Sequence, residues 1–241
     1  MQRGRPLQIA VQWLAILGIS SGALAQAPAP PATPAAVGRQ GGAAPARPGR
    51  PPLFFREEWK QLPGGGEHPV TKDSVASANL ELNLYGTSSK EIQLTGSAQD
   101  DGNPIHLWTG LCTTPCAAAL KDRDRYVDLS GLGRIRWVTK TSGFHQVRPI
   151  LKLADGTWLV GDHADGSPVD WLINDIALSE VRWLKLDIAG VVTKGNFVEK
   201  PDLSRVDEVG FVDLLPGSGH GAGGWSDVAV IEVYGKPVKR Q

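Results

Sequence analysis

"LLPGSGHGAGGWSDVAVIEVYG", residues 214–235, decides the fold class. Five glycines crowd into Gly217–Gly224, and Gly219, Gly221 and Gly224 match the spacing of a dinucleotide-binding fingerprint. That fingerprint needs a strand before it and a helix after it, so that the helix N-terminus faces the phosphate. The chain continues instead into "DVAVIEVYG", a β-branched run without a helical apolar stripe. A strand on each side excludes the dinucleotide reading. The glycines then read as a mobile connection into the closing strand, able to take backbone angles that other residues avoid.

On the N-terminal side of this stretch the same short β-rich character recurs. "NLELNLYG" sets Leu80, Leu82 and Leu84 against Glu81, Asn83 and Tyr85, the period of a half-buried strand. "GRIRWVTK" places Ile135 and Trp137 opposite Arg134 and Arg136. In "HQVRPILKLADGTWLVGD", Val147, Leu151 and Leu153 alternate with Arg148, Ile150 and Lys152 before a tight turn at Asp155-Gly156. Pro149 lacks an amide donor, which predicts an edge strand or a bulge there. "SEVRWLKLDI" and "RVDEVGFVDLL" read as further strands. The best helical candidates are "PCAAALKDRD" (115–124) and "FFREEWKQ" (54–61). The pattern predicts an all-β fold, an antiparallel β-sandwich or jelly roll with one or two short helices.

The N-terminus carries Arg3 and Arg5, an apolar run from Ile9 to Ile19 and the small-x-small site Ala23-Leu24-Ala25. This predicts a signal peptide over 1–25, a mature start at Gln26 and a secreted or periplasmic protein, with no membrane span after cleavage. Residues 26–52 are rich in Ala, Pro and Gly and hold too little apolar area to offset ordering, which predicts a disordered tether. Residues 53–241, about 190 in number, suffice for a single sandwich with a real core. Residues 1–50 contain five Arg and no acid, leaving 20 of the 25 basic side chains against all 25 acidic ones. A folded part near −5 argues against nucleic acid as partner. Cys112 and Cys116 have no further thiolate or His at metal-ligand spacing, and three residues separate them where a redox pair has two. In an exported chain they are expected to form a local disulfide.

The residues "SDVAVIEVYGKPV" (226–238) and "YVDLSGLGRIRW" (126–137) resemble the closing and central strands of galactose-binding-domain-like jelly rolls. Discoidin domains and several carbohydrate-binding modules share that fold, and the whole of 53–241 looks like an exported bacterial family of unassigned role. The resemblance implies a non-catalytic module binding a polysaccharide or cell-surface glycan, frequently with a structural calcium ion. It carries over no ligand-binding motif.

The residues themselves offer several chemistries. No Gly-x-Ser-x-Gly elbow is present, and Ser218 and His220 sit in the glycine loop without an orienting acid. A glycoside hydrolase or lyase would need two facing carboxylates; of the candidates Asp162, Asp165, Asp170, Asp175, Asp187, Asp207, Glu208, Asp213 and Asp227, most fall at strand ends or turns, where Asp caps backbone amides. In "VGDHADGSPVDW" Asp162, Asp165 and Asp170 offer hard oxygen ligands for Ca²⁺, at a spacing unlike an EF-hand. Trp137, Trp158 and Trp183 alternate as core residues, whereas Trp108, Trp171 and Trp225 adjoin turns and are expected to be partly exposed. An exposed indole stacks on a pyranose while neighbouring polar groups fix its hydroxyls, which makes Trp171, Trp225, His220 and Asp227 the candidate ligand residues. Arg148 joins them as a reader of acidic sugars, one of several basic residues on strands. The leading expectation is an exported non-catalytic carbohydrate-binding or adhesion module. The alternatives are a glycan-active hydrolase or lyase using paired carboxylates, and a structural envelope protein with protein partners.

Overall fold

The computed structural model describes residues 49–166, 170–221 and 223–240. The expected leader, and the tether as far as residue 48, lie outside the described residues. In chain order the strands are β1 (Leu53–Glu57), β2 (His68–Pro69), β3 (Leu80–Tyr85), β4 (Gln93–Thr95), β5 (His106–Trp108) and β6 (Cys116–Asp122). Then come β7 (Arg125–Asp128), β8 (Arg134–Ser142), β9 (Gln146–Leu153), β10 (Trp158–Gly161), β11 (Asp165–Gly166) and β12 (Leu172–Ala177). The last five are β13 (Trp183–Asp187), β14 (Val192–Val198), β15 (Val206–Asp213), β16 (Trp225–Tyr234) and β17 (Lys236–Lys239).

Every pairing is antiparallel. One sheet runs β12-β8-β16-β5-β4-β2, with β1 also on β16; the other runs β14-β13-β10-β9-β15-β6-β3, with β7, β11 and β17 attached. The main core lies between them. Ile135, Trp137, Val228, Ile231 and Val233 of the first sheet pack with Leu120, Leu151, Leu159, Val209 and Phe211 of the second. This is an antiparallel β-sandwich. No helix of the described residues is long and apolar enough to cross a membrane.

Both helical candidates are strands. β6 is flanked by β15 and β3 and is buried on both faces: Ala118 and Leu120 enter the main core, while Ala117 and Ala119 enter a second cluster with Ile150, Trp158 and Val160. Alanine's helix preference yields there to tertiary packing. β1 buries Phe55 and Glu57 at a period of two, and Glu57 accepts from the amides of Trp59, Ala76 and Ser77 at 3.0, 2.7 and 3.1 Å. Among the described residues the helical segments are three single 3₁₀ turns elsewhere, Lys72–Ser74, Ser89–Glu91 and Leu178–Glu180.

Pro149 is not on an edge strand. β9 lies between β10 and β15, but the β10 ladder ends at Ile150 and β11 starts at Val147, so the missing donor falls in the gap between them. The expected turn at Asp155-Gly156 is present, with Gly156 at φ 87° and Asp155 Oδ1 accepting from the Thr157 amide. Cys112 and Cys116 form a disulfide.

The glycine stretch is a crossover, not a hairpin, since β15 and β16 belong to different sheets. It is tied down rather than loose. Gly217 donates to the Cys112 carbonyl at 2.7 Å and Gly219 to the Gly110 carbonyl at 2.8 Å. A Cβ at Gly217 would stand 2.2 Å from the Gly110 oxygen, so the close backbone approach demands glycine there.

Candidate functional site

β16 positions the site by a break in its own alternation. Between Val228 and Val230 its register with β8 shifts. Ser226 and Val228 point inward before that irregularity, and Ile231 and Val233 after it. A bulge of this kind re-aims side chains on the bulged strand. Trp225 and Asp227 therefore face outward on the seven-stranded sheet. Ladder partners continue the row across four strands, Lys140 to Asp227 to Trp108 to Gln93, and Ser142 pairs with Trp225 one step along.

Trp171, just before β12, reaches over this face. Its indole Nε1 donates to the Gly102 carbonyl at 3.1 Å, and its ring stands edge-on to His106 with centroids 5.1 Å apart. Lys140 Nζ is 5.7 Å from the centroids of both Trp171 and Trp225, a cation between two π faces. Trp171 and Trp225 remain partly exposed, whereas Trp108 is buried at 8 % exposure. The expectation of a partly exposed Trp108 is corrected for a simple reason. Its ring lies 4.9 Å from that of His220, and the chain turns so tightly around it that a Cβ at Gly110 would meet Trp108 Cζ2 at 2.1 Å.

Beneath Trp171 lies a buried titratable couple. His106 Nδ1 bonds the Pro104 carbonyl at 2.7 Å, which places the ring proton on Nδ1 and leaves Nε2 facing Asp227 Oδ1 at 3.5 Å. That oxygen has no hydrogen-bond partner. Burial pushes the Asp227 carboxyl up to about 8 against the opposing pull of Lys140. Burial lowers His106 to about 4, with Lys140 acting in the same direction and the Pro104 bond opposing. At neutral pH both are uncharged.

The edge of the site is fixed by a second buried network. Asp213 Oδ2 accepts from Ser226 Oγ at 2.7 Å and from Thr109 Oγ1 at 3.4 Å, and pairs with His145 Nδ1 at 2.6 Å. Asp213 Oδ1 accepts from the Leu215 amide at 3.0 Å. This joins the ends of β5 and β15 to the β8–β9 turn and the start of β16, directly beside Trp225. Gly224, at φ 141°, lies where a Cβ would meet His145 Cδ2 at 2.2 Å. The serine bonds the aspartate and not the histidine, so no nucleophilic triad is formed.

The structure thus brings Trp171, Trp225 and Asp227 together, adds Lys140, Trp108 and His106, and sets His220 at the margin. His220 Nε2 contacts Glu67 Oε2 at 2.8 Å. Arg148 is elsewhere: it lies on β9, on the outer face of the other sheet, and donates to Gln146 Oε1 at 3.1 Å. The three expected calcium ligands each meet a protein donor. Asp162 binds the Arg182 guanidinium and amide, Asp165 contacts Trp137 Nε1 and His163 Nε2, and Asp170 accepts from the Trp171 amide. Among the described residues no group of three or more His, Cys, Asp or Glu converges for a metal. A 530 Å³ cavity opens away from this face, lined by Leu129, Leu178, Trp183, Phe197 and Leu203. It is mostly apolar and holds none of the expected ligand residues.

No protein-family model and no curated protein matches the chain. Among solved structures it is similar to the family 11 carbohydrate-binding module of the cellulosomal cellulase Lic26A-Cel5E of Clostridium thermocellum. That pair shares 15 % identity over 74 % of this chain and 99 % of the other, at a TM-score of 0.41. The family 11 module from Clostridium thermocellum in complex with a β-1,3-1,4-mixed-linked tetrasaccharide is 17 % identical over 73 % and 99 %, at 0.42. TmCBM61 in complex with β-1,4-galactotriose is 10 % identical over 64 % and 88 %, at 0.37. The ligands named are those proteins' own.

Proposed function

We propose that the protein is an exported, non-catalytic carbohydrate-binding or adhesion module. The observation that carries this reading is the pair of partly exposed indoles, Trp171 and Trp225, set around Lys140 on a sheet face beside Asp227. Indole faces stack on the apolar side of a sugar ring, and a few polar groups between them fix its orientation. Export is supported by the N-terminal signal pattern and by the Cys112–Cys116 disulfide, a bond that persists in oxidising compartments. Non-catalysis is supported by the neighbours of Asp227. It resembles a general acid in being protonated at neutral pH, but its ladder partners are Lys140 and Trp108 and the side chain facing its Oδ1 is the uncharged His106. A glycosidase mechanism would require a second carboxyl across from it.

Affinity electrophoresis against a panel of soluble polysaccharides tests the reading. Trp171→Ala and Trp225→Ala should each weaken binding by about fivefold or more, from the loss of a stacking partner of roughly 1–3 kcal/mol as for other aromatic platforms. Circular dichroism and thermal melts should show both variants folded. Binding unchanged in both, or no binding by the native protein to any member of the panel, would remove the proposed site.

A further inference from the structure

The outer face of the seven-stranded sheet treats its cations unequally. Toward one end, Arg134 pairs with Asp175, and Arg56 and Arg136 both meet Glu232. Lys140 has no such partner: among the described residues no carboxylate lies within 4.0 Å of its ammonium and no atom accepts a hydrogen bond from it. The carboxyl beside it in the ladder is Asp227, buried and turned toward His106. Protonated as it is at neutral pH, Asp227 does not neutralise Lys140. Among the described residues the ammonium therefore presents unused donors and its charge between two indole faces. Partial burial removes competing water and strengthens any ion pair formed there. A neutral sugar would leave that charge desolvated without compensation, which costs binding.

We infer that Lys140, held between Trp171 and Trp225, selects glycans whose sugars carry an acidic group, a carboxylate or a sulfate. This rests on the glycan-binding reading of the same face and names its ligand class. The indoles hold the ring plane while the acidic substituent meets Lys140 at the ring edge. A lysine binds as a point charge with rotatable donors and so accepts either anion.

The test compares polygalacturonate, the same polymer fully methyl-esterified, a neutral galactan and a sulfated galactan, each measured by isothermal titration at two ionic strengths. The native protein should bind polygalacturonate or the sulfated galactan at least about tenfold more tightly than the uncharged polymers, as one charge-assisted contact provides. Raising the salt should narrow that gap. Lys140→Gln should bring acidic and neutral polymers to equal affinity, and Lys140→Arg should restore most of the difference. Preference for polygalacturonate alone identifies carboxylate as the group read, and preference for the sulfated polymer alone identifies sulfate. If the native protein binds neutral and acidic polymers equally, or Lys140→Gln keeps the preference while melting normally, the inference fails and the glycan-binding reading stands. If nothing on the panel binds, both fail.

Discussion

Asp227 is only 4 % exposed and its Oδ1 lacks a hydrogen-bond partner, so the protein holds a group that ordinary folding energetics would ionise or pair. The consequence appears in stability. An aspartate with an ordinary value of 3.8 that titrates at about 8 when folded binds one more proton in the native than in the unfolded chain between those values. Stability therefore falls as pH rises through that window. His106, moved from 6.5 down to about 4, acts in the opposite sense, because the unfolded chain there binds the extra proton. The two slopes cancel up to about pH 6.5. From there to about pH 8 Asp227 acts alone in the pair and lowers stability by at most about 1.4 kcal/mol per pH unit. His163, raised by its hydrogen bond to Asp165, adds a fall above 6.5 of its own, but one shared by native protein and variant. Asp227→Asn should therefore be more stable than the native protein at pH 8, with a difference that shrinks toward pH 6.5. Urea midpoints at both pH values measure it, and parallel pH profiles in the two proteins would refute the assignment. Lys140 opposes the rise of Asp227, so Lys140→Gln should widen the same window.

How far the elements could be read in advance depended on which faces each strand buries. β3 and β8 bury one face more than the other, and period-two alternation exposed them at once. β6 buries both, so its alanine run showed no alternation and looked helical. β16 alternates in two halves of opposite phase because of the irregularity at Val228–Val230, which no local pattern discloses. The site follows the same division. Trp171, Trp225 and Asp227 stood out as aromatic or acidic residues beside turn residues. Lys140, Trp108 and His106 join them through pairings of β8 and β5 with β16, strands far apart in sequence, and register between distant strands is not written in either one alone. Small residues where β6 meets β15 give a sharper test of this geometry. Gly210 pairs with Ala119, and a Cβ on it would lie 2.1 Å from the Ala118 carbonyl oxygen and 2.8 Å from the Ala119 Cβ. Backbone in the middle of a sheet cannot step aside, so Gly210→Ala should cost about 1–3 kcal/mol as an overpacked core site does. A urea midpoint within about 0.5 kcal/mol-equivalent of the native one, the scatter of a surface substitution, would show the strands to be less closely apposed.

The sandwich is closed by strands from opposite ends of the described chain, and the two closures are unequal. β1 pairs with the half of β16 that β5 leaves free, and the Gly235 amide bonds the Pro52 carbonyl at 3.0 Å. Through β1 the core receives Phe55, and Glu57, fully buried, satisfies three backbone amides, that of Trp59 just beyond the strand and those of Ala76 and Ser77. β17 instead pairs only with β7, is mostly exposed, and is anchored chiefly by Arg240, which pairs with Asp207 and donates to the Asp122 carbonyl. Deleting Leu53–Glu57 removes buried apolar area, leaves three amides without their acceptor and opens an edge on β16, losses that together exceed the roughly 5–15 kcal/mol by which domains of this kind are usually stable. That deletion should give no cooperative melt. Ending the chain at Gly235 removes a rim strand and one part-buried ion pair, Arg240–Asp207, whose carboxylate keeps Lys121 and Lys152; the loss is worth about 1–2 kcal/mol, and at this size it lowers Tm by roughly 2–8 °C. The shortened protein should also bind glycan as the full chain does, because Trp171, Trp225 and Lys140 stand on the sheet that β17 does not join. Thermal melts and polysaccharide titrations of both truncations separate these expectations. A C-terminal truncation that fails to fold would place β17 in the core, and one that folds but loses binding would move the ligand face to the larger sheet.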